Sequence, residues 1–118
     1  MKKYCIVGRV KPEYMDEYKK EHKELHKGPY RELLNVIKNS GVEEEAVFIY
    51  KDMIIIYFEA EDLNHAYEIQ GKAEIAKKWN ALMAPMFASD YEFNESDSLP
   101  VLEKVFDLNE QLKGYLDG

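Results

Sequence analysis

Two of the chain's three histidines, His22 and His26, stand four residues apart, and Tyr14 and Tyr18 precede them at the same interval. In a helix, side chains four apart share a face. The stretch Pro12 to His26 (PEYMDEYKKEHKELH) therefore predicts one stripe of two phenols and two imidazoles, with Lys19, Lys20, Lys23 and Lys27 mostly off it. Phenol and imidazole are groups that hold a polar ligand and move its protons.

Three readings of the histidine pair stay open. Imidazole titrates near neutrality, and a positioned acid or base contributes about 10²- to 10⁴-fold to a rate. Histidines one turn apart also share metal ions, but the zinc motif needs glutamate directly after the first histidine; here that residue is Lys23, with Glu24 one place late. The plainest reading is two half-exposed histidines ending a solvated helix. Tyr14 and Tyr18 read equally well as packing residues. Trp79, the only tryptophan, reads either as a core anchor or as a platform for an apolar sugar face with its indole N–H as donor. His65, near a helix start, reads as surface. Dinucleotide, P-loop, serine-elbow and CxxC motifs are all missing. Nothing points to a nucleotide, flavin or haem cofactor, and no metal is assigned.

The elements that must position these residues follow from pattern. Tyr4 to Val10 reads as a strand that Lys11-Pro12 ends. Pro12 suits a first helical turn, with Glu13 and Asp16 near its positive end. That helix runs to about His26 and breaks at Lys27-Gly28-Pro29. Tyr30 to Ser40 predicts a second helix, stopped by Gly41 in the left-handed position. Ala46 to Lys51 and Met53 to Ala60 predict a hairpin turning at Lys51-Asp52. Asp62 offers an N-cap for a helical pattern from Leu63, interrupted near Gly71, resumed from Ala73 and ended near Ala84-Pro85. Ala88 to Leu99 reads as an acidic loop, Val101 to Leu108 as a fourth strand, and 109–118 as a tail or short helix.

The order β-α-β-β-α-β is the split βαβ, ferredoxin-like α+β arrangement. A chain of 118 residues suits one such domain, over 1–108, with the tail beyond it. Met53 to Phe58 does not alternate apolar and polar residues, and neither does Tyr4 to Val7. Strands of that kind are covered on both faces. Helices cover one, so a second copy of the chain is expected on the other: a homodimer, as in dimeric α+β barrels. The net charge of −7 argues against nucleic acid and against an anionic membrane surface. No run approaches the roughly 18 apolar residues of a membrane span, and no signal peptide is visible. Cys5, the one cysteine, excludes an internal disulfide and reads as a core thiol in a cytoplasmic protein.

Several spaced segments together carry a resemblance: Val10-Lys11-Pro12, Glu17-Tyr18, Tyr18-Lys-Lys-Glu-His22, Lys38-Asn39-Ser40-Gly41, Phe58-Glu59, Lys78-Trp79 with Met83-Ala84-Pro85, and Leu102 to Phe106. To about Leu108 the chain resembles the L-rhamnose mutarotase family of small dimeric α+β barrels. The resemblance implies interconversion of pyranose anomers, chiefly of L-rhamnose or a related 6-deoxy-hexose, without a cofactor. It implies His22 as proton donor, Tyr18 as a sugar-binding residue and Trp79 as the first of an aromatic pair. The second of that pair is Asn80 here, a sugar-contacting tyrosine is replaced near Glu45, and the segment after His26 departs from the family pattern. His26 and Asn80 are expected to make the pocket more polar. The other readings are a cofactor-independent monooxygenase on the same fold and a sugar-binding relative without catalysis.

Overall fold

The computed structural model of the protein describes residues 1–88 and 101–117. Three strands, β1 (Lys2–Arg9), β2 (Val42–Tyr50) and β3 (Met53–Ala60), form a sheet in the order β1-β3-β2, both pairings antiparallel. β1 and β2 thus run parallel on either side of β3, joined by a helical crossover, which is the split βαβ expected from the sequence. β3 begins and ends where its pattern predicts. β2 starts at Val42 rather than Ala46, because a bulge lets the glutamates before Ala46 join the ladder.

The crossover is less regular than one helix. A 3₁₀ turn over Pro12–Tyr14 leads into α1 (Met15–Lys23), and Leu25–Lys27 forms a second 3₁₀ turn. α2 (Leu33–Asn39) follows, and Gly41 takes φ +100° just beyond it, as its position after the cap predicts. After the hairpin, the Asp62 carboxylate accepts the His65 backbone N–H at 3.1 Å and starts α3 (Leu63–Gly71). α4 (Glu74–Met83) resumes the pattern and closes in a 3₁₀ turn over Ala84–Met86. His65 is exposed, as expected.

The register sorts the strand residues by face. Ile6, Ile56 and Val47 lie abreast, as do Tyr4, Phe58 and Glu45, and this face takes the helices. Two clusters form there. One joins Ile6, Val42, Phe58 and Ala60 to Leu63 and Ala66 of α3. The other joins Val10 and Ile54 to Tyr18 of α1, Met83 of α4 and Met86. Each large apolar side chain buried this way contributes about 1.5–3 kcal/mol.

The expected fourth strand does not form as a ladder. Val101 makes a single antiparallel bridge to Ile6, and the Leu102 N–H donates to Cys5 O at 2.8 Å. The other end of the same β1 edge is taken by a Phe87–Val10 bridge and by Ala88 N–H on Arg9 O at 3.0 Å. Beyond Leu102 the chain turns towards Lys3, whose ammonium lies 2.8 Å from Asp107 and holds that carboxyl down to about 2. Asp107 also accepts the backbone N–H groups of Asn109 and Glu110 and so caps α5 (Leu108–Asp117). A segment committed to that ion pair and cap cannot also run along β1. The acidic loop expected over 88–99 lies, from residue 89 onward, outside the described residues. Cys5 sits half-buried beside Leu102 rather than in either core cluster. Among the described residues no helix is long and apolar enough to cross a membrane.

Candidate active site

α1 is helical through both Tyr18 and His22, so the two side chains stack: their ring centroids are 4.0 Å apart. Tyr18 is 1% exposed and belongs to the second core cluster. No hydrogen bond to its hydroxyl is found among the described residues, and no buried side-chain oxygen there lacks a partner; the phenol oxygen therefore keeps an opening to solvent. Burial first, and the Glu45 carboxyl second, push this phenol above its ordinary range. It remains protonated, and a donor, at any physiological pH.

His22 Nδ1 lies 2.8 Å from the Tyr18 carbonyl oxygen. A carbonyl only accepts, so Nδ1 carries the hydrogen and Nε2 of the neutral ring is left with a free lone pair. Burial lowers the pKa of His22, against smaller upward pushes from the Tyr18 carbonyl and Glu21. The ring rests neutral, tautomer fixed, with one nitrogen available for proton transfer. Trp79 of α4 meets it edge-on at 5.1 Å, and Tyr30 meets Trp79 at 5.7 Å. The row Tyr18–His22–Trp79–Tyr30 thus draws on α1, α4 and the link before α2.

His22 opens onto a cavity of about 410 Å³, lined also by Leu25, Leu34, Ile37, Val42, Val47 and the Glu43-Glu44-Glu45 run. That volume falls within the range of small-molecule sites. A second hollow of about 450 Å³ lies around Lys3, Tyr57 and Phe106. Of the two carboxylates lining it, Glu103 is exposed, and Asp107 is engaged by Lys3 and Lys104, which leaves it no proton to exchange near neutral pH.

The remaining expected site residues lie apart. α1 unwinds at Glu24, at φ −107° and ψ 13°, so the four-residue interval no longer carries His26 onto the stripe; His26 is exposed on the following turn. Asn80 follows Trp79 on α4, about 100° around the helix, and is exposed. Tyr14, in its own 3₁₀ turn, packs on the second core cluster. No group of three or more His, Cys, Asp or Glu side chains among the described residues is placed to hold a metal ion. Tyr30 was not anticipated from sequence, because its contact with Trp79 is purely tertiary.

The sequence profile of one family, described as L-rhamnose mutarotase, matches residues 3–108. The L-rhamnose mutarotase of Ligilactobacillus salivarius is 29% identical over 106 residues, covering 88% of this chain and 89% of that protein. Among solved structures, an L-rhamnose mutarotase of Formosa agariphila matches with a TM-score of 0.65 at 22% identity, over 91% of this chain and 98% of its own. Tetracenomycin F2 cyclase of Streptomyces glaucescens matches with a TM-score of 0.59 at 18% identity, over 91% and 96%. At such identities the structural likenesses bear on the fold alone, and they agree with its ferredoxin-like α+β class.

Proposed function

The chain belongs to the L-rhamnose mutarotase family, and we propose that it interconverts the α and β anomers of L-rhamnose or a related 6-deoxy-hexose. The observation that carries this reading beyond family membership is the His22 geometry. Opening a pyranose needs a proton delivered to the ring oxygen and another removed from the anomeric hydroxyl; closing on the opposite face reverses both. An imidazole at a cavity wall, with Nδ1 tied to a carbonyl and Nε2 without a hydrogen-bond partner among the described residues, is built to give and take a proton at one atom. Tyr18 and Trp79 pack on the His22 ring, at 4.0 and 5.1 Å, and are not among the residues lining the cavity. The roles family membership gives them, a phenol donor and an aromatic wall for the sugar, require the sugar to reach from the cavity to that row of rings. His26 and Asn80, both exposed, are left at most an outer role in substrate contact.

Saturation-transfer NMR tests the activity directly. Irradiating one anomeric proton of L-rhamnose is expected to deplete the other far above the buffer rate when the protein is added. If no common monosaccharide exchanges faster than in buffer, the mutarotase reading falls.

The same reading includes a homodimer. Phe48 and Tyr50 lie on the sheet face opposite the helices and are 60% and 62% exposed in the single chain. Apolar side chains of that size, two residues apart on one face of the sheet, favour cover by a second copy. Sedimentation velocity is expected to give about twice the 13.9 kDa chain mass at micromolar concentration. A lone species at the chain mass would overturn the dimer. Residues 1–108 are taken as the catalytic domain and 109–118 as an appendage, and the free Cys5 suits a reducing, cytoplasmic setting.

A further inference from the structure

β2 carries a bulge whose effect falls on one residue of the His22 cavity. Val42 pairs with Ala60, but Glu44 pairs with Glu59 and Glu45 with Phe58, so Glu43 is the extra residue. Side chains alternate along a strand, and a slip of one residue reverses which face each takes. Without the bulge, Glu45 would share a face with Glu43 and point away from the helices. With it, Glu45 lies abreast of Phe58, a core residue, and lines the same cavity as His22.

Two ammonium groups, Lys23 and Lys38, line the same cavity, but neither pairs with this carboxyl. On α1 it acts on the Tyr18 phenol, while the neutral His22 and Lys23 line the same cavity. On α3 it meets Tyr67, whose phenol is pushed up to about 12 by burial and then by Glu45. On β3 its neighbour is Phe58. Lys38 of α2 is engaged by Glu43, through its backbone oxygen at 3.0 Å and its carboxylate at 3.5 Å. Glu44 turns its own carboxylate to the Glu45 backbone N–H. No ion pair or hydrogen bond to the Glu45 carboxyl occurs among the described residues. Burial accordingly pushes it up to about 7, while burial pushes His22 down. Opposite shifts on two groups of one site separate an acid from a base.

We propose that Glu45 is the second acid–base residue of the ring-opening reaction, working with His22 across one cavity. This rests on the mutarotase reading above and assigns the two protons: His22, which the resemblance makes the donor, is the base of the opening step and donates only on closing. The Glu45 carboxylic acid protonates the pyranose ring oxygen as the bond from that oxygen to C1 breaks. His22 Nε2 takes the proton of the anomeric hydroxyl as C1 becomes an aldehyde carbon. Rotation about C1–C2 presents the other carbonyl face. The freed ring hydroxyl then adds to C1 and returns its proton to the Glu45 carboxylate, while the His22 imidazolium returns its proton to the new anomeric oxygen. Protons and electrons balance, and both residues end as they began.

Glu45→Gln keeps the shape and removes the titration. Exchange of L-rhamnose anomers by the full chain is expected to fall by about 10²-fold or more in kcat, with KM changed by less than about threefold. The wild-type pH profile should rise through the His22 pKa, below 6.5, and fall through about 7; Glu45→Gln should lose the falling limb only. A second readout needs no substrate. A glutamate whose folded pKa is raised loses stability as pH climbs from the unfolded value towards the folded one, so Glu45→Gln should gain thermal stability over wild type above pH 7 and not below pH 4.5. In ¹³C-glutamate-labelled wild type, one carboxyl should titrate near 7, which keeps the proposal testable should the variant fold poorly. Wild-type exchange together with an unimpaired Glu45→Gln, a change in KM alone, or every glutamate titrating near its ordinary value would overturn the role of Glu45 and leave the mutarotase reading standing. Wild type without exchange would remove that reading and this one together.

Discussion

His22→Ala should slow anomer exchange by about 10²- to 10⁴-fold at pH 7, the usual cost of removing a positioned acid–base group. That corresponds to about 3–5 kcal/mol on the barrier. The effect should lie in kcat, because the imidazole exchanges a proton as the ring opens and does little to hold the sugar before that. The pH profile supplies the distinguishing sign. His22 is active as the neutral ring, and burial lowers its pKa from 6.5, so wild-type activity should climb as pH rises through that lowered value and His22→Ala should lose the climb. The variant also removes ring contacts to Tyr18 at 4.0 Å and Trp79 at 5.1 Å, so circular dichroism must accompany the rates. Exchange that survives in a folded His22→Ala protein would remove His22 from the chemistry.

How much of this site is legible in the sequence depends on what fixes each residue. Tyr18 and His22 are set by local geometry: a helix five residues long suffices to bring them together, and the Tyr18 carbonyl then orients the ring through an ordinary i, i+4 contact. Reading the same interval one step further leads to His26, and there it misleads, because α1 unwinds at Glu24 ahead of the Gly28-Pro29 break. The resemblance marks the neighbourhood of Glu45, where the family has a sugar-contacting tyrosine, but not which glutamate faces the site. Three consecutive glutamates resemble a solvated charge run, and only the bulge at Glu43 decides which of them turns inwards. The lost alternation of Met53 to Phe58 reads as two-sided cover, of which the single chain supplies the helical side. The fate of Val101 to Leu108 was not, since apolar content cannot reveal that Asp107 is drawn to Lys3 and to the first turn of α5.

Tyr18 joins the core to the site, and two substitutions should separate its duties. Tyr18→Ala empties a position 1% exposed among Val10, Ile54, Met83 and Met86. Truncating a buried aromatic costs about 3–5 kcal/mol, a large share of the roughly 5–15 kcal/mol of a typical domain, and the midpoint of urea unfolding should fall accordingly. Tyr18→Phe keeps the ring and its stacking on His22. Its hydroxyl has no hydrogen-bond partner among the described residues, so stability should move by less than about 1 kcal/mol. The loss should appear in sugar binding instead. One neutral hydrogen bond is worth about 0.5–1.5 kcal/mol, which predicts a KM raised roughly two- to twelvefold, with the pH profile unmoved because the phenol is held protonated by burial. If Tyr18→Phe matches wild type in both KM and kcat, the phenol serves packing alone. The sugar would then be oriented by the groups of the cavity that Glu45 and His22 share.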